Sequence, residues 1–548
     1  MPQRPAVISS ARLIAACTLL SRITGLVRDM LLMHIFALSW VADAWNFAFQ
    51  FPNLFRRLFG EGALAAAFVP TFTQTMERCG RESAWALLAR TLALLTVALS
   101  ALIVVLALLL LAFWQLGSAD TPEHAQARAL LFALTGLMLP FVLTICVVAL
   151  FSGTLNCVGS FAPGALAPLI LNLFMIFGIV WLGPRIAAGH GPQREVFGVA
   201  IAVLAAGVVQ VLVMLPVLRS RGVRLGWKLD VRDQTVVLLL RRLGPVLLGQ
   251  GVLVLAPLID SLLCVTLEPT QAILGDQFPY PLQEGALTAL ANAARLYQFP
   301  LGVVAISLAV AALPTLSRLA GRGEWDSWRD EWLRTARLSV FVGLLAGAMM
   351  IVVAQPIVRM LFEYHNFTRD NTARVAALVR WYGFGMGAFC LHHIVLRGFY
   401  SVGDVRTPLR ISCVLLPANI ALSLSLVWFD SIREAAFAIS SATTSTVAVI
   451  VGATLLQRRA SVRLLSAPPL TALLRMLLAA ASAAGAVVLL RAALLTRLVA
   501  ALGDAPLSRA TDVFGSLAVG VATYLLICTL LKLDEPKLIF HRAAAGKR

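Results

Sequence analysis

The chain has 548 residues, of which 59% are hydrophobic and 13% charged, and its mean hydropathy is +0.86. A soluble domain is usually about a quarter charged, so this composition excludes an ordinary soluble protein and points to the membrane class. The formal net charge of +18 does not signal nucleic acid, because no basic, aromatic-interleaved soluble module is present to carry that function.

Apolar stretches longer than the roughly 18 residues a bilayer requires recur along the chain, as at 91–114, 131–155, 196–218, 338–358 and 513–531. Together with the turn signals between them they predict about fourteen transmembrane helices in an all-α polytopic membrane protein. In chain order these fall near 8–34, 41–76, 83–116, 126–158, 162–184, 194–218, 232–267, 281–319, 328–362, 370–402, 405–429, 433–459, 466–491 and 510–533. Ile14-Ala15-Ala16-Cys17 loosely resembles a lipoprotein cleavage box. The apolar stretch after Arg12 is too short for a signal core and the pattern runs on to Met33, so this segment reads as an uncleaved first span. Prolines at Pro52, Pro140, Pro257 and Pro300 are tolerated in spans where neighbours or a wet cavity satisfy the freed backbone groups. The eight cysteines include no CxxC pair, and most fall inside apolar spans, where they read as small core hydrophobes.

Basic residues alternate between loops. With the N-terminus placed in the cytoplasm, the inside loops hold Arg219, Arg221, Arg224, Lys228 and Arg232, then Arg318, Arg322, Arg329 and Arg334, then Arg458, Arg459 and Arg463. The outside stretch 36–41 has none, and 268–284 holds acids without Lys or Arg. This follows the positive-inside rule with both termini cytoplasmic. An internal repeat is also visible. Phe51-Pro52 and Ala67-Phe68-Val69-Pro70-Thr71 are echoed by Phe299-Pro300 and Ala312-Leu313-Pro314-Thr315, and Gly153, Gly159 and Pro163 by Gly398, Gly403 and Pro408, at offsets of roughly 245–248 residues. Two pseudo-symmetric six-helix bundles, 1–230 and 231–462, followed by two further helices and a tail in 463–548, are the expected organisation, and paired halves suit a transporter.

Arginines interrupt the apolar spans. Arg22 lies about 14 residues into the first, roughly 21 Å along it. Arg28 and Asp29 follow; the second helix adds Asp43, Arg56, Arg57 and Glu61, and the eighth adds Arg295. A centrally placed arginine costs about 2.5–3.5 kcal/mol on insertion scales unless it meets water, a carboxylate or an anionic ligand. Any single one could snorkel to an interface or tether a helix through an ion pair. As a set they outnumber the nearby acids, and guanidinium forks bind phosphate oxygens bidentately while staying charged. An anionic substrate is the expectation.

At these residues the chain resembles a known family. Ser21-Arg22-x-x-Gly25-x-x-Arg28-Asp29, Asp43-Ala44, Pro52-Asn53-Leu54-x-Arg56-Arg57 and Glu61-Gly62-Ala63 through Pro70 look like the N-terminal signature of the MurJ (MviN) lipid II flippases, in the multidrug/oligosaccharidyl-lipid/polysaccharide exporter superfamily. Further matches run from Phe161-Ala162-Pro163 to Asn172, from Gly207 to Pro216, through Arg295 and Phe299-Pro300, and from Gly398-Phe399-Tyr400-Ser401 to Asp404-x-x-Thr407-Pro408. The resemblance implies a flippase, not an enzyme. It would carry undecaprenyl-diphosphate-linked disaccharide-pentapeptide from the inner to the outer leaflet of the cytoplasmic membrane, with the cell-wall synthesis machinery as a candidate partner. It implies substrate contacts at Arg22, Arg28, Arg56 and Arg295 with Asp43 as acidic partner, gating or structural charge at Asp29, Glu61 and Arg57, and a polyprenyl groove at the last two helices.

The chain departs from the family pattern where some members have an acid three positions after the eighth-helix arginine; here the residue is Gln298. A family sodium site would map to Asp260 and Asn419, but Ser423 stands where a second acid is expected. No cofactor is expected, and a sodium ion or the membrane potential is the candidate source of coupling. The 269–284 segment reads as an added outside loop without an assigned role. His392-His393 reads as a core pair, since no third metal ligand is visible. No Walker loop, HExxH motif or nucleophile elbow supports ATP hydrolysis or covalent catalysis. The rival readings are an exporter of another lipid-linked oligosaccharide, a drug exporter, which would show excess acids in its cavity, a polyprenyl-phosphate glycosyltransferase, which would need paired acids or a metal motif in a sizeable loop, and a membrane scaffold, which would not need arginines in its spans.

Overall fold

A computed structural model describes residues 4–60, 63–116, 121–275, 277–464, 467–495, 503 and 505–537, and these are helical with short connections and no strand. Ten helical stretches among them are long and apolar enough to cross a membrane. The other four expected spans correspond to α1 (Arg4–Phe36), α2 (Trp40–Phe55), α8 (Gln234–Thr266) and α13 (Arg369–Ser401). Length and polar content set these apart: α2 has only 16 residues, and α1 carries Arg22, Arg28 and Asp29.

Boundaries differ from the sequence expectation where the backbone breaks pattern. The expected helix 41–76 is interrupted by a π-helical turn, Arg56–Gly60, after which α3 (Ala63–Leu116) runs through a kink at Gly80. The expected helix 328–362 is two, α11 (Trp325–Val352) and α12 (Ala354–Phe362). The eighth expected span consists of α9 (Ala286–Pro300), a π-helical turn Leu301–Ile306 and α10 (Ser307–Gly321). Pro52 and Pro300 thus each precede a π-helical turn, because proline removes a ladder donor and crowds the preceding carbonyls.

Packing divides the chain into two compact units, Met1–Thr288 and Ala289–Arg548. The repeat expected on either side of residue 230 compares sequences, whereas this division groups neighbours, and α8 lies against α3 and α2. In the first unit α4 (Pro122–Cys157) packs against α2, α3 and α7 (Pro192–Ser220), while α5 (Ala162–Phe177) joins α1 to α7. A short α6 (Gly183–Ala187) follows the π-helical turn Gly178–Leu182. In the second unit α13 packs against α11, α10 and α15 (Ala435–Ala460), and α14 (Arg406–Leu426) rests on α15.

The last helices, α16 (Ala467–Leu490) and α17 (Pro506–Leu530), pair with each other and lean on α11. The buried Tyr524 donates its hydroxyl to Phe341 O at 2.9 Å and Arg491 donates Nη1 to Val352 O at 3.2 Å, so polar ties hold this pair to α11, while Arg491 also meets Asp512 at 3.2 Å within the pair. The repeat reappears locally. Gly159 and Gly403 end α4 and α13 with φ of 76° and 75°, and in each case the following N–H bonds back to a carbonyl of the last turn, Ser160 to Leu155 and Asp404 to Phe399. A left-handed residue at this position favours glycine.

Candidate functional site

The arginine on α1 is held rather than loose. Arg28 donates Nε and Nη2 to Asp29 Oδ1 at 2.9 and 2.7 Å, and Nη1 to Asn172 Oδ1 on α5 at 2.9 Å. The Asn172 amide nitrogen in turn donates to Ser21 O at 2.8 Å and Thr24 Oγ1 at 3.3 Å. Gly25 keeps the helices close, since a Cβ there would sit 3.3 Å from Asn172 Nδ2. The Ser21-x-x-x-Gly25-x-x-Arg28-Asp29 spacing is therefore a docking strip for Asn172, and it fixes the direction of the Arg28 guanidinium. Asn172→Ala removes a buried donor and acceptor together. It is expected to lower stability by about 1–3 kcal/mol, read as a lower thermal midpoint of the purified chain.

Arg22 lies one to two turns earlier on α1 and is exposed. Arg56 and Arg57 open the π-helical turn and are half-buried, with Arg56 Nε 3.3 Å from Asn53 Oδ1. π-helical turns widen a helix locally and recur at functional positions. Glu61 lies outside the described residues.

Asp43 is fully buried in the first turn of α2. Its Oδ1 accepts the Thr288 backbone N–H at 2.7 Å and the Thr288 hydroxyl, and Asn46 Nδ2 reaches the same hydroxyl at 3.0 Å. The expected acidic partner is thus the anchor of the first turn of α9. In the second unit, Arg295 is half-buried and its Nη1 lies 3.3 Å from Oδ1 of the buried Asn292. Tyr297, two residues on, stacks on Tyr382 and Phe389 with ring centroids 4.4 and 5.1 Å apart.

Among the described residues no group of three or more His, Cys, Asp or Glu side chains could hold a metal ion. His392 and His393 meet edge to face, 6.2 Å between ring centres.

A protein-family model described as "Lipid II flippase MurJ" matches residues 32–502 of this chain. A protein of Rhizobium tropici named a probable lipid II flippase MurJ is 32% identical over 438 residues, 78% of this chain and 77% of that protein. The chain belongs to the MurJ family. The lipid II flippase MurJ of Burkholderia cenocepacia is 31% identical over 409 residues, 74% of this chain and 75% of that protein.

The fold agrees. A solved MurJ structure in an inward closed conformation superposes with a TM-score of 0.69 at 19% identity, covering 95% of this chain and 98% of that one. An inward-facing MATE family transporter of the MOP superfamily gives 0.62 at 15% identity, covering 82% and 98%. Within the MurJ frame, Asp260 is half-buried on α8, and the Asn419 amide nitrogen donates to Thr444 Oγ1 at 3.1 Å. Ser423 is buried.

Sequence reading missed Asn172, Asn292, Thr288 and Glu268 as site residues. Asn172 and Asn292 were legible as polar side chains in apolar helices, a pattern that asks for a partner. Glu268 and Thr288 carried no such signal, because Glu268 borders the 269–284 loop and Thr288 is a small hydroxyl within the expected eighth helix.

Proposed function

We propose that this chain is a lipid II flippase. It moves undecaprenyl-diphosphate-linked peptidoglycan precursor from the inner to the outer leaflet of the cytoplasmic membrane, with both termini in the cytoplasm. Family membership supports the substrate. The observation that carries the chemistry is the Arg28 guanidinium, half-buried in an apolar helix and aimed by Asp29 and Asn172. Such a group is pre-oriented for phosphate oxygens, so little rotamer freedom is lost on binding. Arg22 and Arg56 in the first unit and Arg295 in the second offer further guanidinium forks, and the Tyr297–Tyr382 stack offers an aromatic face for a sugar ring.

In this mechanism the diphosphate replaces water at the guanidinium groups while the polyprenyl tail stays in lipid beside α16 and α17. Alternating access then turns the loaded headgroup to the other leaflet. Release requires the arginine contacts to weaken in the outward state, because a ligand bound equally in both states shifts nothing. The reaction makes and breaks no covalent bond, so the chain acts as a transporter.

In a cell depleted of its own flippase, this chain is expected to restore outward exposure of lipid II. Arg22→Ala and Arg295→Ala are expected to insert at normal levels and fail to do so. Each lost charge-assisted contact weakens binding by about 1.5–3 kcal/mol, roughly 10- to 150-fold. Normal complementation by both variants would overturn the arginine assignment, and accumulation of a different lipid-linked sugar would reassign the substrate.

A further inference from the structure

Glu268 stands just after α8, at the start of the 269–284 loop, and is fully buried. Its Oε1 accepts the Thr270 hydroxyl at 2.9 Å, whereas its equally enclosed Oε2 receives no donor. What Glu268 faces is Asp43, carboxyl to carboxyl and within reach of a single shared proton. Two carboxylates have only acceptors between them, so a hydrogen bond joining them requires a proton on one.

Asp43 is the better place for the negative charge. It sits in the first turn of α2 and receives the Thr288 N–H from the first turn of α9, so two helix N-termini favour its anion. The proton therefore resides on Glu268. Burial, then the Asp43 charge, and more weakly Glu284, hold the Glu268 carboxyl well above the ordinary glutamate range.

Other charged and titratable groups come from the elements packed around the pair. Glu284 accepts the Trp40 N–H at 2.9 Å, closing the loop onto the start of α2. From α4, which packs on both α2 and the turn Pro269–Gln271, come Glu123, His124 and Arg128 near its first turns, with Arg128 donating to the carbonyls of Phe113 and Trp114. From α8 come Asp260 and Cys264, and from the end of α1 comes His34. The charges that act most strongly on Glu268, those of Asp43 and Glu284, are both acidic.

We propose that the buried Asp43–Glu268 pair is a proton-binding site, and that its occupancy decides whether the joint between α2, the 269–284 loop and Thr288 stays closed, coupling transport to protons. With the proton in place the pair carries one negative charge and a hydrogen bond. When Glu268 gives its proton to water the pair carries two negative charges, loses that hydrogen bond, and the joint is driven apart. The coupling to transport rests on the flippase reading; the proton site does not.

The sign follows from linkage. A carboxyl whose folded-state affinity for protons is raised contributes stability that is complete below the ordinary glutamate pKa and is lost as pH rises through the folded value. Infrared difference spectra of the purified full-length chain should therefore show a protonated-carboxyl C=O band that disappears as the pH is raised through the range in which Glu268 titrates. The thermal midpoint should fall over the same range. Glu268→Gln, which keeps the shape and the donor, should lack that band and make the midpoint flat in pH.

In vesicles carrying lipid II, wild-type flipping should vary with pH by up to about tenfold per unit, the limit for one proton, and the Glu268→Gln rate should not. A carboxyl band and titration that persist in Glu268→Gln would overturn the site. Loss of the band with an unchanged pH dependence of flipping would overturn the coupling. The spectra and midpoints require no substrate, so they stand or fall separately from the flippase reading.

Discussion

Arg28→Ala is expected to abolish lipid II exposure and to destabilise the first unit together. The Arg28 and Asp29 side chains are 16% and 12% exposed and lie 2.7 Å apart. Removing one partner of such a pair strands the other charge, which costs about 3–5 kcal/mol. The loss alone would not separate a structural role from a substrate contact. The double variant Arg28→Ala/Asp29→Ala does separate them, because no stranded carboxylate remains. It should recover most of the thermal midpoint while leaving lipid II unexposed. A double variant that is both stable and fully active would show that Arg28 serves only to neutralise Asp29.

Gly198→Leu should have the largest effect on folding. A Cβ on Gly198 would lie 2.4 Å from the Gly183 nitrogen and 2.5 Å from its Cα, so the obstruction is backbone and no side chain can move aside. Gly178, at the start of the π-helical turn before α6, approaches α7 as closely, with Val199 Cα 2.9 Å from its would-be Cβ. Small residues let helix backbones approach closely in membranes, where packing and not water drives association. Leucine would force α6 and the π-helical turn before it away from α7, at or beyond the about 1–3 kcal/mol typical of overpacking. The expected result is poor accumulation in the membrane and a sharply lower midpoint in detergent. An unchanged midpoint would mean that this junction is not part of the folded first unit.

Much of this protein was legible in its residues. The class, the helical architecture and the repeat follow from apolar length, loop charge and recurring Pro and Gly, because a bilayer leaves few ways to satisfy a backbone. One matched pair of positions agrees in conformation: Gly159 and Gly403 share one left-handed cap. Arginines in apolar spans led only to the expectation of an anionic substrate, since such charges need a partner wherever they end up, and lipid II itself came from the family resemblance.

Partner choice was not legible. Arg22, Arg28 and Arg56 read alike in the sequence, yet Arg28 is clamped to Asp29 and Asn172 while Arg22 is exposed. Asp43 reads in the sequence as an acidic partner of the arginines, and the structure adds that it accepts the Thr288 N–H at the start of α9 and faces Glu268, 225 positions away. By itself, then, the sequence determined that this is an apolar helical chain with cationic groups in its spans, through periodicity and composition that act locally. Only the tertiary structure decided which partner each charge takes, as Asp29 and Asn172 for Arg28 and Thr288 for Asp43. That outcome depends on which helix faces come together across more than a hundred residues, and no local pattern encodes it.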